Sequence, residues 1–209
     1  MKRVYYWMFL PGKEAIEMRL LLSILLAVFG MMGCAQAIYQ DAQDKMDRLG
    51  AVYTEEGVKQ TQAMGTRYYK TTKEKAQSAM LLALTNADIS IENQDVKSGF
   101  INGRSTLPKP LTKSEFDQAW KLEEARAKQI TGYDIMWPGT IDLITNVLIN
   151  ERANDVQINV RFRMKHTVVK ENWIILTQIP PEVTKIAYKK IWDEFEKTGF
   201  VQEKIISGN

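Results

Sequence analysis

From Val156 to Lys165 the chain alternates without a break. Val156, Ile158, Val160, Phe162 and Met164 are apolar, and Gln157, Asn159, Arg161, Arg163 and Lys165 are polar. Successive side chains of a strand point to opposite faces, so this segment predicts a strand with one buried and one wet face. Ile141, Leu143, Val147 and Ile149 alternate in the same way, although Ile144 and Leu148 interrupt the polar set. The polar stretch NERAND between the two predicts a hairpin. A register that sets Ile149 against Val156, Val147 against Ile158 and Leu143 against Phe162 keeps both apolar sets on one face. It also sets Asp142 against Arg163.

Helical spacing appears elsewhere. Thr71-x-x-Glu74 has the form of a capping box, and Ala76, Ala79, Met80, Ala83 and Leu84 follow it at intervals of three and four. A second box, Thr112-x-x-Glu115, opens a charged helix to about Ile130. Its apolar stripe of Phe116, Ala119, Trp120 and Ala127 is thin, which predicts a partly exposed helix, with Glu123 and Glu124 on its solvated side. The closing helix carries Val183, Ile186, Ala187, Ile191 and Phe195, widened by Tyr188 and Trp192. Pro181 suits its first turn and Gly199 its stop. Further strands are predicted at Thr66–Lys70, around Ile89, at Phe100–Ile101 beyond the turn DVKSG, and at Trp173–Ile179. The order predicts an α+β domain over residues 66–209. It is a single antiparallel sheet of about six strands, with helices packed mainly on one face and a closing C-terminal helix. That layout is similar to the helix-grip domains of several envelope lipoproteins, a similarity of layout that assigns no function.

The amino-terminal region follows other rules. Leu20–Met32 is an uncharged run of 13 residues. A bilayer-spanning helix needs about 20, so the run fits the apolar core of a secretory signal. Arg19 precedes it and the small residues Gly30, Gly33, Ala35 and Ala37 lie at or beyond its end. Residues 1–33 therefore read as a signal peptide. Residues 1–17 are either an upstream extension ahead of a start at Met18 or a long basic leader using Lys2, Arg3 and Lys13. Residues 34–65 are polar and read as a tether, with a short helix near Ile38–Leu49; the alternative is a helix packed on the domain. A flexible stretch of about 30 residues reaches roughly 30 Å.

The stretch MMGC, Met31–Cys34, resembles the lipobox of bacterial lipoproteins, with Met31 and Met32 in place of the usual leucine and small residue. The resemblance implies that Cys34 receives a thioether-linked diacylglycerol, that the signal is cut before it, and that the new amino group is acylated. Ala35 rather than aspartate after the cysteine implies the outer membrane. Two or three acyl chains, at about 0.8 kcal/mol per buried CH₂, make a stable anchor where one chain does not. The rival is AQA, Ala35–Ala37, a small-x-small cleavage signature that would discard Cys34 and release a soluble protein.

Composition narrows the chemistry. Of the 209 residues one is cysteine and one is histidine, His166, so an internal disulfide and multi-cysteine or multi-histidine metal sites are excluded. The net charge is +3 with scattered basic residues, so nucleic acid is not expected as a partner, and no cofactor is expected either. Known nucleotide, hydrolase and metalloprotease motifs are absent from the sequence. Two groups could meet a partner: Arg161, Arg163 and Lys165 on one strand face, and Tyr133 and Trp137 flanking a loop. The expectation is a non-enzymatic, outer-membrane-anchored, periplasm-facing interaction module, held to the membrane through Cys34 and working with an envelope protein partner in assembly or secretion. The alternative is a carrier that binds lipid or another small amphipathic ligand between the sheet and the closing helix.

Overall fold

The structure is a computed structural model that describes residues 40–132, 134, 140–166, 179–199 and 204–205. The chain divides into two units between Lys45 and Met46. The described residues of the first, 40–45, are helical, and Lys45 Nζ lies 2.7 Å from Asp41 Oδ2. The second unit opens with helix α1, residues 46–64. It continues through β1 (Thr66–Tyr69), α2 (Lys73–Asn86), β2 (Ser90–Asp95), β3 (Phe100–Thr106), α3 (Lys113–Thr131), β4 (Ile141–Glu151), β5 (Val156–His166), α4 (Pro181–Lys197) and β6 (Lys204–Ile205).

The strands form one sheet in the order β2-β3-β4-β5-β1-β6, antiparallel throughout. The architecture is the expected α+β single sheet with a closing C-terminal helix. Five strands carry it, and β6 adds a ladder of only two residues beside β1. The strand expected at Trp173–Ile179 lies, apart from Ile179, outside the described residues.

Alternation places Ile141, Leu143, Val147 and Ile149 of β4 and Val156, Ile158 and Val160 of β5 in the core, against Ala79, Met80, Ala83, Trp192 and Phe195 of α2 and α4. The pairing differs from the expected register by two residues. Ile149 faces Ile158, Val147 faces Val160 and Leu143 faces Met164. A slip of two returns every side chain to the same face, so the hydrophobic pattern does not distinguish the registers. The turn decides: Glu151 pairs with Val156, and the Arg152 N–H donates to the Asp155 carbonyl at 2.9 Å, closing a tight connection. Asp142 consequently stands opposite Lys165, not Arg163.

Two helix starts test the capping signals. At α3 both halves of the box form: the Glu115 N–H donates to Thr112 Oγ1 at 3.3 Å, and the Thr112 N–H to Glu115 Oε2 at 2.7 Å. At α2 the cap is Thr72, one residue beyond the expected Thr71, and accepts from the Lys75 N–H. At the far end of α4, Gly199 takes φ +71°, the left-handed conformation that stops a helix.

The expected tether does not extend to residue 65. From Met46 onward it belongs to the folded unit. Leu49 and Tyr53 of α1 are fully buried beside Ala127 of α3, with Val52, Trp120 and Met164 around them. Farther along, the Met64 carbonyl accepts from Trp192 Nε1 at 2.7 Å. A Cβ on Gly65 would lie 2.6 Å from the Thr61 carbonyl oxygen and 2.8 Å from that of Val160, so only glycine lets α1 meet β5 this closely. The polar composition of the segment is that of the helix's outer side; its inner stripe is short.

Candidate interaction face

The core clusters place α1, α2, α3 and α4 on the same face of the sheet, that of the inward residues of β3, β4 and β5. Among the described residues, no helix packs on the other face. Its cross-strand rows follow from the register. Thr106, Asp142 and Lys165 form one, Arg104, Ile144 and Arg163 the next, then Asn102, Asn146 and Arg161, then Phe100, Leu148 and Asn159. Asn102 donates to Asn146 Oδ1 at 2.9 Å, and Gln157 Nε2 to the Tyr68 hydroxyl at 3.1 Å, which stiffens a polar surface. Leu148 is 41% exposed and Ile144 half-buried in its midst.

Arg161, Arg163 and Lys165 are all exposed here, on one side of β5. No ion pair to a described carboxylate engages any of them. The expected Asp142–Arg163 pairing is replaced by a different one. Asp142, 3% exposed, binds the Arg104 guanidinium and accepts from Thr106 Oγ1 at 2.9 Å. Arg104 also reaches Glu92 of β2 at 3.5 Å. The middle of the face is thus internally neutralised, and its positive charge lies along β5. Arg104 and Glu92 join the face through the β3–β4 and β2–β3 registers, which no local sequence pattern announces. Tyr133, Trp137 and Cys34 lie outside the described residues, as do residues 1–33 and Ala35–Ala37, where the leader and its cleavage are expected.

On the helical side, Glu123 corrects an expectation. Expected on a solvated helix surface, it is fully buried where α1, α3 and α4 meet. Its Oε1 accepts the Glu182 backbone N–H at 2.7 Å. The α4 N-cap is Pro180, whose side chain makes no cap, so Glu123 supplies the acceptor from another helix. Arg126 lies 2.8 Å from Glu56, 3.7 Å from Glu182 and 3.8 Å from Glu123. The Tyr53 hydroxyl and Glu123 Oε2 are both buried without a hydrogen bond among the described residues. Burial raises the Glu123 carboxyl above the usual range, against the opposing pull of the Glu182 N–H and Arg126. The arrangement is that of a cap supplied by α3 to the first turn of α4.

A groove of about 620 Å³ runs between α1, the end of β5 and α4, lined by Val58, Arg161, Phe162, Met164 and Tyr188 among others. Among the described residues no three His, Cys, Asp or Glu gather to hold a metal ion, and no helix is long and apolar enough to cross a membrane. No family model, curated protein or solved structure matches the chain.

Proposed function

We propose that this protein is an outer-membrane lipoprotein whose folded unit is a non-enzymatic interaction module facing the periplasm, engaged in envelope assembly or secretion. The observation that carries the module is the sheet face free of described helices, with Arg161, Arg163 and Lys165 exposed along one strand. A filled core on the other face, holding Trp192, Tyr69 and Phe195, supports binding on a surface over binding in an interior. The anchor rests on the lipobox-like Met31–Cys34, and anchoring raises the effective concentration of the face near membrane-bound partners. The test is the intact mass of the mature protein from membranes beside a Cys34→Ser variant, followed by crosslinking from position 163. A mass starting at Cys34 plus lipid, lost in the variant, with a crosslinked envelope protein, is the expected result. A mass starting at Ile38 removes the anchor.

A second reading, the carrier of an amphipathic ligand, draws on the groove, where apolar Phe162 and Met164 adjoin two arginines. Native mass spectrometry would then reveal a co-purified lipid that is lost on widening the charge change at Arg161 and Arg163 to glutamate.

A further inference from the structure

The sheet face free of described helices is polarised, and the polarity suits a copy of itself. Arg161, Arg163 and Lys165 lie along β5, while Glu92 and Asp95 lie on β2 at the sheet edge, two strands beyond β4 on the other side. Between them Arg104 and Asp142 neutralise one another, and the central rows carry Phe100, Ile144 and the exposed Leu148. A positive strip, a neutral middle in which Phe100, Ile144 and Leu148 stand among polar residues, and an acidic edge where Glu92 also reaches Arg104 at 3.5 Å thus follow one another across the strands.

We propose that two copies of this chain pack face to face through this surface, related by a twofold axis parallel to the strands near β3 and β4. That axis carries β5 of one copy over β2 of the other, twice by symmetry. Glu92 then meets Arg161 and Arg163 of the partner's β5, and β4 lies over the partner's β3, which sets Leu148 against the partner's Phe100. A twofold at right angles to the strands would instead lay β5 on β5 and oppose like charges, which costs several kcal/mol in a protein interface. The chosen axis also leaves the two sheets nearly aligned, as face-packed sheets are, with about 10 Å between them. Each copy keeps its strand ends level with its partner's. The inference rests on the reading of this face as an interaction surface and names its first partner.

The experiment is sedimentation of the purified full chain in mild detergent over a concentration series, with three variants. Leu148→Glu charges the centre; Arg163→Glu and Glu92→Lys each reverse one strip. All three positions are exposed, and circular dichroism melting reports whether each variant is folded. The expected result is a concentration-dependent dimer in the parent, weakened on the order of tenfold or more by each change alone. An equimolar mixture of the Arg163→Glu and Glu92→Lys chains should dimerise again, because each supplies the charge the other lacks at both contacts. The proposal is overturned by a parent that stays monomeric to roughly 0.5 mM, a concentration at which even a weak millimolar association would show. It is equally overturned by a dimer indifferent to the three changes, or by a mixture that does not recover. A monomer that still crosslinks from position 163 to another envelope protein overturns the dimer and leaves the interaction reading standing.

Discussion

The backbone N–H of Glu182 donates to Glu123 Oε1 across 2.7 Å, so the first turn of α4 is capped by a carboxylate from α3. Proline at positions 180 and 181 presets the backbone of that turn but supplies no side-chain acceptor. One buried carboxylate therefore ties α3 to α4, while Arg126 ties both to Glu56 of α1.

Replacing Glu123 separates the cap from the charge. Glu123→Ala leaves the Glu182 N–H without its acceptor and should cost about 1–3 kcal/mol in urea unfolding. Glu123→Gln keeps an oxygen at the same place and removes the charge. Because burial holds the folded-state carboxyl above its unfolded value, the folded state favours the protonated form. This group's contribution is therefore fully present below the unfolded value and lost as pH rises through the folded one. The stability difference, parent minus Gln variant, should increase as pH falls from neutrality towards 4.5. A flat difference would show that burial does not shift the Glu123 carboxyl, and an opposite slope that the folded state favours its charged form.

Leu49→Ala should lower stability by about 2–5 kcal/mol, the range for emptying a packed leucine site. Leu49 is fully buried against Tyr53 and Ala127. Were residues 46–64 a free tether, the same change would leave the unfolding midpoint unmoved.

A double-mutant cycle between Asp142 and Arg104 should give a coupling of about 1 kcal/mol, since one partner is buried and the other half-exposed. The parallel cycle between Asp142 and Arg163 should give a coupling near zero. Reversed magnitudes would mean that the hairpin sits two residues away from the register described above.

Two glycines with left-handed backbones should respond unequally to alanine. Gly132, φ +77°, has open space around it, and Gly132→Ala should cost about 1–2 kcal/mol from conformation alone. Gly99, φ +75°, ends the β2–β3 turn where a Cβ would fall 2.2 Å from the Ile149 carbonyl oxygen. Gly99→Ala should cost clearly more, because the turn must move and with it the 2.9 Å bond from the Ile149 N–H to the Gly99 carbonyl. Thermal melts of the two variants side by side decide it.

The features legible along the chain were local. Alternation assigned the two faces of β4 and β5, the Thr112–Glu115 box marked the start of α3, and the Val183–Phe195 stripe marked the buried side of α4. These follow from side-chain period and from backbone groups that neighbouring residues can satisfy. Alternation also singled out Arg161, Arg163 and Lys165 as sharing one face, because that too is a matter of period. Only the tertiary structure decided which of two equivalent registers holds, since a shift of two changes no face and is chosen by the Glu151–Val156 turn. Only it decided that Asp142 answers to Arg104, 38 residues away, and that Glu123 is buried under α1. In the last two cases the deciding partner is remote in sequence, and in the first it is the geometry of a turn. Burial and pairing depend on what packs against a residue, which its neighbours along the chain do not specify.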